Sequence, residues 1–229
     1  MGSKVPLSAK LKIGLELLLS IPKSFYASWR LTSYKKAWTL PVLCRHNCKL
    51  VSVNGSIYGG GRIKIGFNQT GLFDERTQRA IINISGNIEL HGIFELGAGS
   101  RLEVGNNGFL IIKGNVANSA GLTISCHDRI VLEAVTVISW DTLILDRDFH
   151  YILDTNTYKT KSDHKPIFIG KNVWVCAGAK VLKGAVIPDG CIISAASVIN
   201  RPFEENNCLL QGNPAMIVRR NVTRSDILL

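Results

Sequence analysis

The sequence predicts an all-β solenoid, a short strand and a bend repeated until three such units close a triangular coil, on two observations. Ile169, Val175, Val181, Ile187, Ile193 and Ile199 fall six residues apart without exception. Two residues before each of the last five stand Val173, Ala179, Ala185, Cys191 and Ser197, all small or β-branched, with Gly170, Gly178, Gly184 and Gly190 at the bends. A spacing of six fits neither the 3.6 of a helix nor the uninterrupted 2 of a long strand. Each unit buries one aliphatic and one small side chain and then turns, so no unit is stable alone and neighbours share the core.

The preceding elements follow in order. Leu7, Leu11, Leu15, Leu18 and Leu19 recur at helical spacing and predict an amphipathic helix over 7–21, stopped by Pro22. Lys10, Lys12 and Glu16 interrupt it too often for a bilayer span. Tyr26, Trp29, Tyr34 and Trp38 then interleave with Lys23, Arg30, Lys35 and Lys36, a composition suited to a lipid surface or to plugging the open end of the coil. Residues 1–50 are therefore a cap or interfacial segment. The first strands are expected between Leu50 and Phe67, with 68–80 looping outward. Rungs run through Ile84, Leu90, Leu96 and Leu102, then shift register to Val104, Leu110, Val116 and Leu122, with Gly108 where an aliphatic is expected. The coil spans 51–202, a polar insertion at 146–166 breaks it, and a tail from 203 to 229 folds back along its outside.

Composition narrows the function classes. Residues of positive charge exceed the acids by ten, which favours anionic partners, yet the basic residues are dispersed and no nucleic-acid module is recognisable. Nucleic acid is not expected. Six cysteines, two of them inside the repeats, do not form a disulfide framework, and a reducing cytoplasm is the expected location, with the inner membrane surface as a peripheral alternative. Cys44 and Cys48 with His46 between them lack a second ligand pair, so no metal is expected.

The chemistry is expected at Trp140-Asp-Thr-Leu-Ile-Leu-Asp146-Arg-Asp148-Phe-His150, where Asp146, Asp148 and His150 share one face if the segment is extended. Histidine suits reversible proton transfer near neutrality, and a carboxylate beside it orients the ring. Cys126 beside His127 offers a covalent alternative but reads better as a turn.

The run Ile169-Gly-Lys-Asn-Val-Trp-Val with Leu182-Lys-Gly, Ile187-Pro-Asp-Gly, Ala196-Ser-Val and Gly212-Asn-Pro-Ala resembles the hexapeptide-repeat acyltransferases, which include galactoside, maltose and capsule-polysaccharide O-acetyltransferases. The resemblance implies a left-handed parallel β-helix assembled as a homotrimer, with acetyl-CoA as acyl donor and a saccharide as acceptor. It implies His150 as general base, Asp148 as its orienting partner, and Trp140, Asp146 and His164 near the acceptor. Trp174, Ala177, Gly178 and Ala179 would line the pantetheine path, with Asn200, Arg201 and Arg219 near the phosphates. Met216 stands where the family often has a basic residue, leaving Lys180, Lys183 or Arg220 to supply that contact. Backbone N–H groups at the glycine and alanine corners would hold the oxyanion. The alternatives are N-acetyl transfer to an amino-sugar nucleotide, a non-catalytic scaffold, and a γ-type carbonic anhydrase, whose His-x-x-x-x-His pair this sequence lacks.

Overall fold

The computed structural model describes residues 7–68, 70–74 and 77–225, with the side chains of 7–10 and 12 excluded. Residues 1–6 of the N-terminal segment and 226–229 of the tail lie outside the described residues, as do the side chains of Leu7, Lys10 and Lys12.

Short strands wind into a parallel β-helix of three faces, the all-β coil expected. The first face stacks Val42–Cys44, Arg62–Ile65, Ile93–Leu96, Val116–Asn118, Thr136–Ile138, Trp174–Val175, Ile192–Ile193 and Cys208–Gly212. The second stacks Lys49–Val53, Ile81–Ile84, Arg101–Val104, Thr123–Cys126, Leu143–Leu145, Lys180–Leu182 and Val198–Ile199. The third stacks Ser56–Gly59, Asn87–Leu90, Phe109–Ile112, Arg129–Leu132, Ile167–Ile169 and Val186–Ile187.

Residues in register pack like on like. On the second face Ile82, Leu102, Ile124, Ile144, Val181 and Ile199 form one unbroken inward column. All six are buried. The six-residue series from Ile169 to Ile199 and its small companions from Val173 to Ser197 are also buried, so both registers read from the sequence point inward. Gly108 replaces an aliphatic because a Cβ there would stand 2.2 Å from the Cys126 carbonyl oxygen of the next coil. Backbone fills the place of a side chain.

Three boundaries differ from expectation. The coil begins at Val42, ahead of residue 51, because Val42 and Cys44 are fully buried against Ile63 and Ile65. The tail extends the first face before any fold-back: Cys208–Gly212 pairs in parallel with Ile192–Ile193, since Leu210 and Cys208 have core to bury. It then turns antiparallel through Ala215–Arg220. Finally, the N-terminal helix α1 does not stop at Pro22 but runs Leu7–Leu31, followed by a short α2 at Tyr34–Ala37.

Continuation past Pro22 has a physical cause in a stripe of serines. Ser20, Ser24 and Ser28 are fully buried against the free edge of Val42–Cys44, where unpaired peptide groups would otherwise be stranded. The Ser28 hydroxyl donates to the Val42 carbonyl and accepts from the Val42 N–H, both at 3.1 Å. Ser24 does the same for Cys44 at 3.1 and 3.0 Å, and Ser20 accepts the His46 N–H at 3.0 Å. The match is geometric, because four helical residues advance about 6 Å and two strand residues about 6.7 Å. Ser24→Ala therefore strands a buried donor and acceptor together, and is expected to lower unfolding stability by about 1–3 kcal/mol. Urea denaturation checks this, and a change below about 0.5 kcal/mol would contradict it.

Candidate active site

The insertion leaves the coil at the corner between the second and third faces. Its neck is two antiparallel segments: the Asp148 N–H donates to the Asp163 carbonyl at 2.7 Å, the Lys165 N–H donates to the Asp146 carbonyl at 3.1 Å, and Arg147 bridges to His164. Beyond it a small hairpin pairs Ile152–Leu153 with Thr160–Lys161. Asp154 closes the tip, accepting the N–H groups of Asn156 and Thr157 at 2.9 Å, which holds its carboxyl below the usual range.

The three residues expected on one face are not on one face. Asp146 is fully buried, and its two carboxylate oxygens accept the His127 and Asp128 N–H groups at 2.8 and 2.9 Å. It cannot meet an acceptor, and instead fixes the turn of the coil beneath. Asp148 is exposed, its Oδ2 pairs with Lys183 Nζ at 2.5 Å, and among the described residues it makes no hydrogen bond to His150. The assumption of an extended strand fails at Phe149, whose φ of +65° puts a non-glycine residue in the left-handed region. That conformation is held by packing: the Phe149 ring meets the His127 ring edge-on at 4.9 Å, and the Arg147 guanidinium lies 5.8 Å from it. His150 follows directly, with its side chain exposed.

His164 is part of the neck clamp. Asp163, 2% exposed on its side chain, lies between His164 Nδ1 at 2.7 Å and Arg147 Nε at 2.6 Å. The bond from His164, followed by the Arg147 guanidinium, draws the Asp163 carboxyl below its ordinary value of 3.8, although desolvation opposes them. A depressed value makes the clamp fully effective above about pH 4 and weakens it as pH falls through the lowered value. Amide protection across 147–165, taken relative to intrinsic exchange at each pH, is expected to fall on acidification below about pH 4, and Asp163→Asn to produce that loosening at neutral pH. Unchanged protection in both would remove the clamp.

A polar cleft of about 330 Å³ opens beside this neck, lined among others by Asn83, Glu103, Asn106, Asn107, His127 and Arg147. Ser125 donates to Glu103 at 2.8 Å, and Asn83 at 3.2 Å. His127 Nε2 stands 3.5 Å from the same carboxylate, and the ring lies so close over Gly105 that a Cβ there would be 2.4 Å from Nδ1. Sequence reasoning missed Glu103, His127, Phe149 and Arg147 as one group. They come from three successive coils, and only the coil period could have aligned them. Cys126 is not a nucleophile: burial, with the Asp146 charge behind it, pushes its thiol far up. Cys48 is likewise pushed up to about 12 by burial and by Cys44.

The residues expected along the donor path lie on other parts of the coil. Trp174 faces outward on the first face and its indole N–H donates to Ser139 Oγ at 3.3 Å. Ala177 and Gly178 form the corner between the first and second faces, where the Gly178 N–H donates to the Trp140 carbonyl at 3.0 Å. Trp140 thus belongs with this corner and not with His150. Ala179 is fully buried in the core and lines no path, a correction that follows from its place among the small inward residues. The Ala179 N–H also donates within the corner, to Cys176 at 3.3 Å, so neither it nor Gly178 offers a free oxyanion donor. Asn200 and Arg201 are exposed where the last second-face strand ends, with Arg201 packed 5.0 Å over Phe203. Arg219 is exposed on the terminal strand. Among the alternative phosphate contacts, Lys183 is committed to Asp148 and the Ser162 carbonyl, and Arg220 to Glu205, while Lys180 is exposed.

A hexapeptide coil broken by a histidine-bearing insertion is the class of protein these observations define, and the chain is related in sequence to proteins named as acetyltransferases. No family model matches it. It is 31% identical over 141 residues to an uncharacterized 24.8 kDa protein of the cps region of Klebsiella pneumoniae, covering 52% of this chain and 62% of that one. It is 23% identical over 147 residues to WbbJ of Escherichia coli K12, whose name assigns it to lipopolysaccharide biosynthesis as an O-acetyl transferase, covering 61% and 74%. The solved polySia-specific acetyltransferase NeuO aligns at 19% identity with a TM-score of 0.47, over 81% of this chain and 85% of NeuO.

Proposed function

We propose that the chain is an acetyl-CoA-dependent O-acetyltransferase acting on a sugar hydroxyl in surface or capsular polysaccharide biosynthesis, with His150 as general base. The observation that carries this reading is an exposed imidazole at the point where the coil is interrupted, on a braced neck whose Arg147 also lines a polar cleft. His150 takes the acceptor hydroxyl proton as its oxygen attacks the thioester carbonyl. The carbon–sulfur bond then breaks, the proton passes from the imidazolium to the leaving sulfur, and an acetyl ester and free coenzyme A result. Two substrates held together need no covalent enzyme intermediate. Asn106, Asn107, Glu103 and the Arg147 guanidinium offer the donors and acceptors that several sugar hydroxyls require.

Geometry also supports a composite site. His150 stands at one corner of the prism, whereas Trp174, Ala177 and Gly178 stand at another, across the width of the second face. Two adjacent copies, each supplying one corner, would bring the two together, as in a homotrimer working in the cytoplasm near the membrane. The test is release of free thiol from acetyl-CoA with and without added sugars. Acceleration by a saccharide supports the reading; acceleration only by an amino sugar, with an amide product, supports N-acetyl transfer instead.

A further inference from the structure

The inward face of α1 is the serine stripe with Ala27 and Leu31, and its outward face is apolar as well, where a surface helix is ordinarily polar. Leu11, Leu15, Leu18, Tyr26 and Trp29 recur at three- and four-residue spacing, apart from one step through Pro22, and all five are exposed, Leu11 by 67% and Leu18 by 65%. An aromatic cluster continues this stripe. Tyr34 lies 6.4 Å from Trp29 and 6.2 Å from Trp38, and Phe25 lies 4.8 Å from Trp38, with Tyr34 and Trp38 themselves exposed. Residues 7–40 carry six basic side chains and one acidic. The acid, Glu16, is neutralised by Arg45 at 2.6 Å. Lys23, Arg30 and Lys36 are held instead by neutral oxygens of His46, Cys48, Asn54 and Gly59, so their positive charge stands uncompensated beside the stripe.

We propose that α1 and its aromatic cluster dock this chain on the anionic surface of a lipid bilayer. The serines fasten the helix to the coil while the leucine and tryptophan row enters the headgroup boundary, with the aromatic rings and cations at the level of the lipid phosphates. The helix lies on the surface and does not cross it, since no described helix is long and apolar enough to span. A second copy of the chain is a poorer occupant, because facing two such surfaces would bring their uncompensated positive charges together. The proposal is independent of the catalytic reading, and catalysis and lipid binding fail separately.

The test is co-sedimentation of the full chain with vesicles of phosphatidylcholine alone and of phosphatidylcholine with phosphatidylglycerol, comparing wild type with Leu15→Glu/Leu18→Glu. Both side chains are exposed, so the urea midpoint of the coil stays constant, and Trp29→Ser provides a second variant in the same row. Wild type is expected to pellet with the anionic vesicles, less so as salt rises, and the double variant to bind them about tenfold more weakly or worse. Equal pelleting by wild type and variants, or no pelleting with either vesicle, would overturn the proposal. So would concentration-dependent self-association that the same substitutions abolish while lipid binding is absent, an outcome that gives the face to a second copy.

Discussion

His150→Ala is expected to reduce acetyl transfer by about a thousandfold, within the range a positioned general base contributes. The side chain is exposed at the end of the neck, and its removal touches neither the buried columns nor the Asp163 clamp. The urea midpoint, the assembly state and the affinity for acetyl-CoA should therefore remain those of the wild type. Loss confined to turnover distinguishes a base from a structural histidine, which would lower stability as well. Turnover retained within about tenfold would remove His150 from the chemistry.

The second large effect is expected at Asp146, and it is one of stability. Asp146→Ala withdraws both oxygens of a fully buried carboxylate from the His127 and Asp128 N–H groups. Two charge-assisted bonds are lost and two donors stranded, which should cost about 3 kcal/mol or more. Asn at this position keeps one acceptor oxygen and should cost about half as much. The turn that Asp146 holds carries His127, whose ring supports Phe149, so acetyl transfer is expected to fall in step with stability. A loss below about 1 kcal/mol in urea denaturation, or full activity in Asp146→Ala, would contradict this placement.

Asp146 and Asp148 show how far the sequence could be read. The coil was legible because its signal is periodic: from Ile169 to Ile199 every sixth residue is an inward aliphatic, and the structure buries each of them. The site lacked such a signal. Parity along Asp146, Asp148 and His150 presumes an extended backbone, and the left-handed φ at Phe149 breaks that presumption at one residue. The side chain then buried at 146 became a turn anchor, and the one at 148 found Lys183, which is distant in sequence and belongs to the coil after the insertion. Glu103, His127 and Arg147 meet only because successive coils bring them into register, so no local motif could have named them. The serine stripe was hidden for a different reason. Ser20, Ser24 and Ser28 look like the polar side of a surface helix, and their burial follows only from a strand edge that needs partners.

The most direct measurement is mass-spectrometric location of the label after wild type and His150→Ala are each incubated with isotopically labelled acetyl-CoA and a panel of sugars and nucleotide sugars. Wild type is predicted to leave the acetyl group as an ester on one sugar oxygen, and His150→Ala to leave the same sugars unmodified. Label absent from every sugar with the wild type, or equal ester formation by both proteins, would contradict an imidazole-driven transfer at the broken corner of this coil.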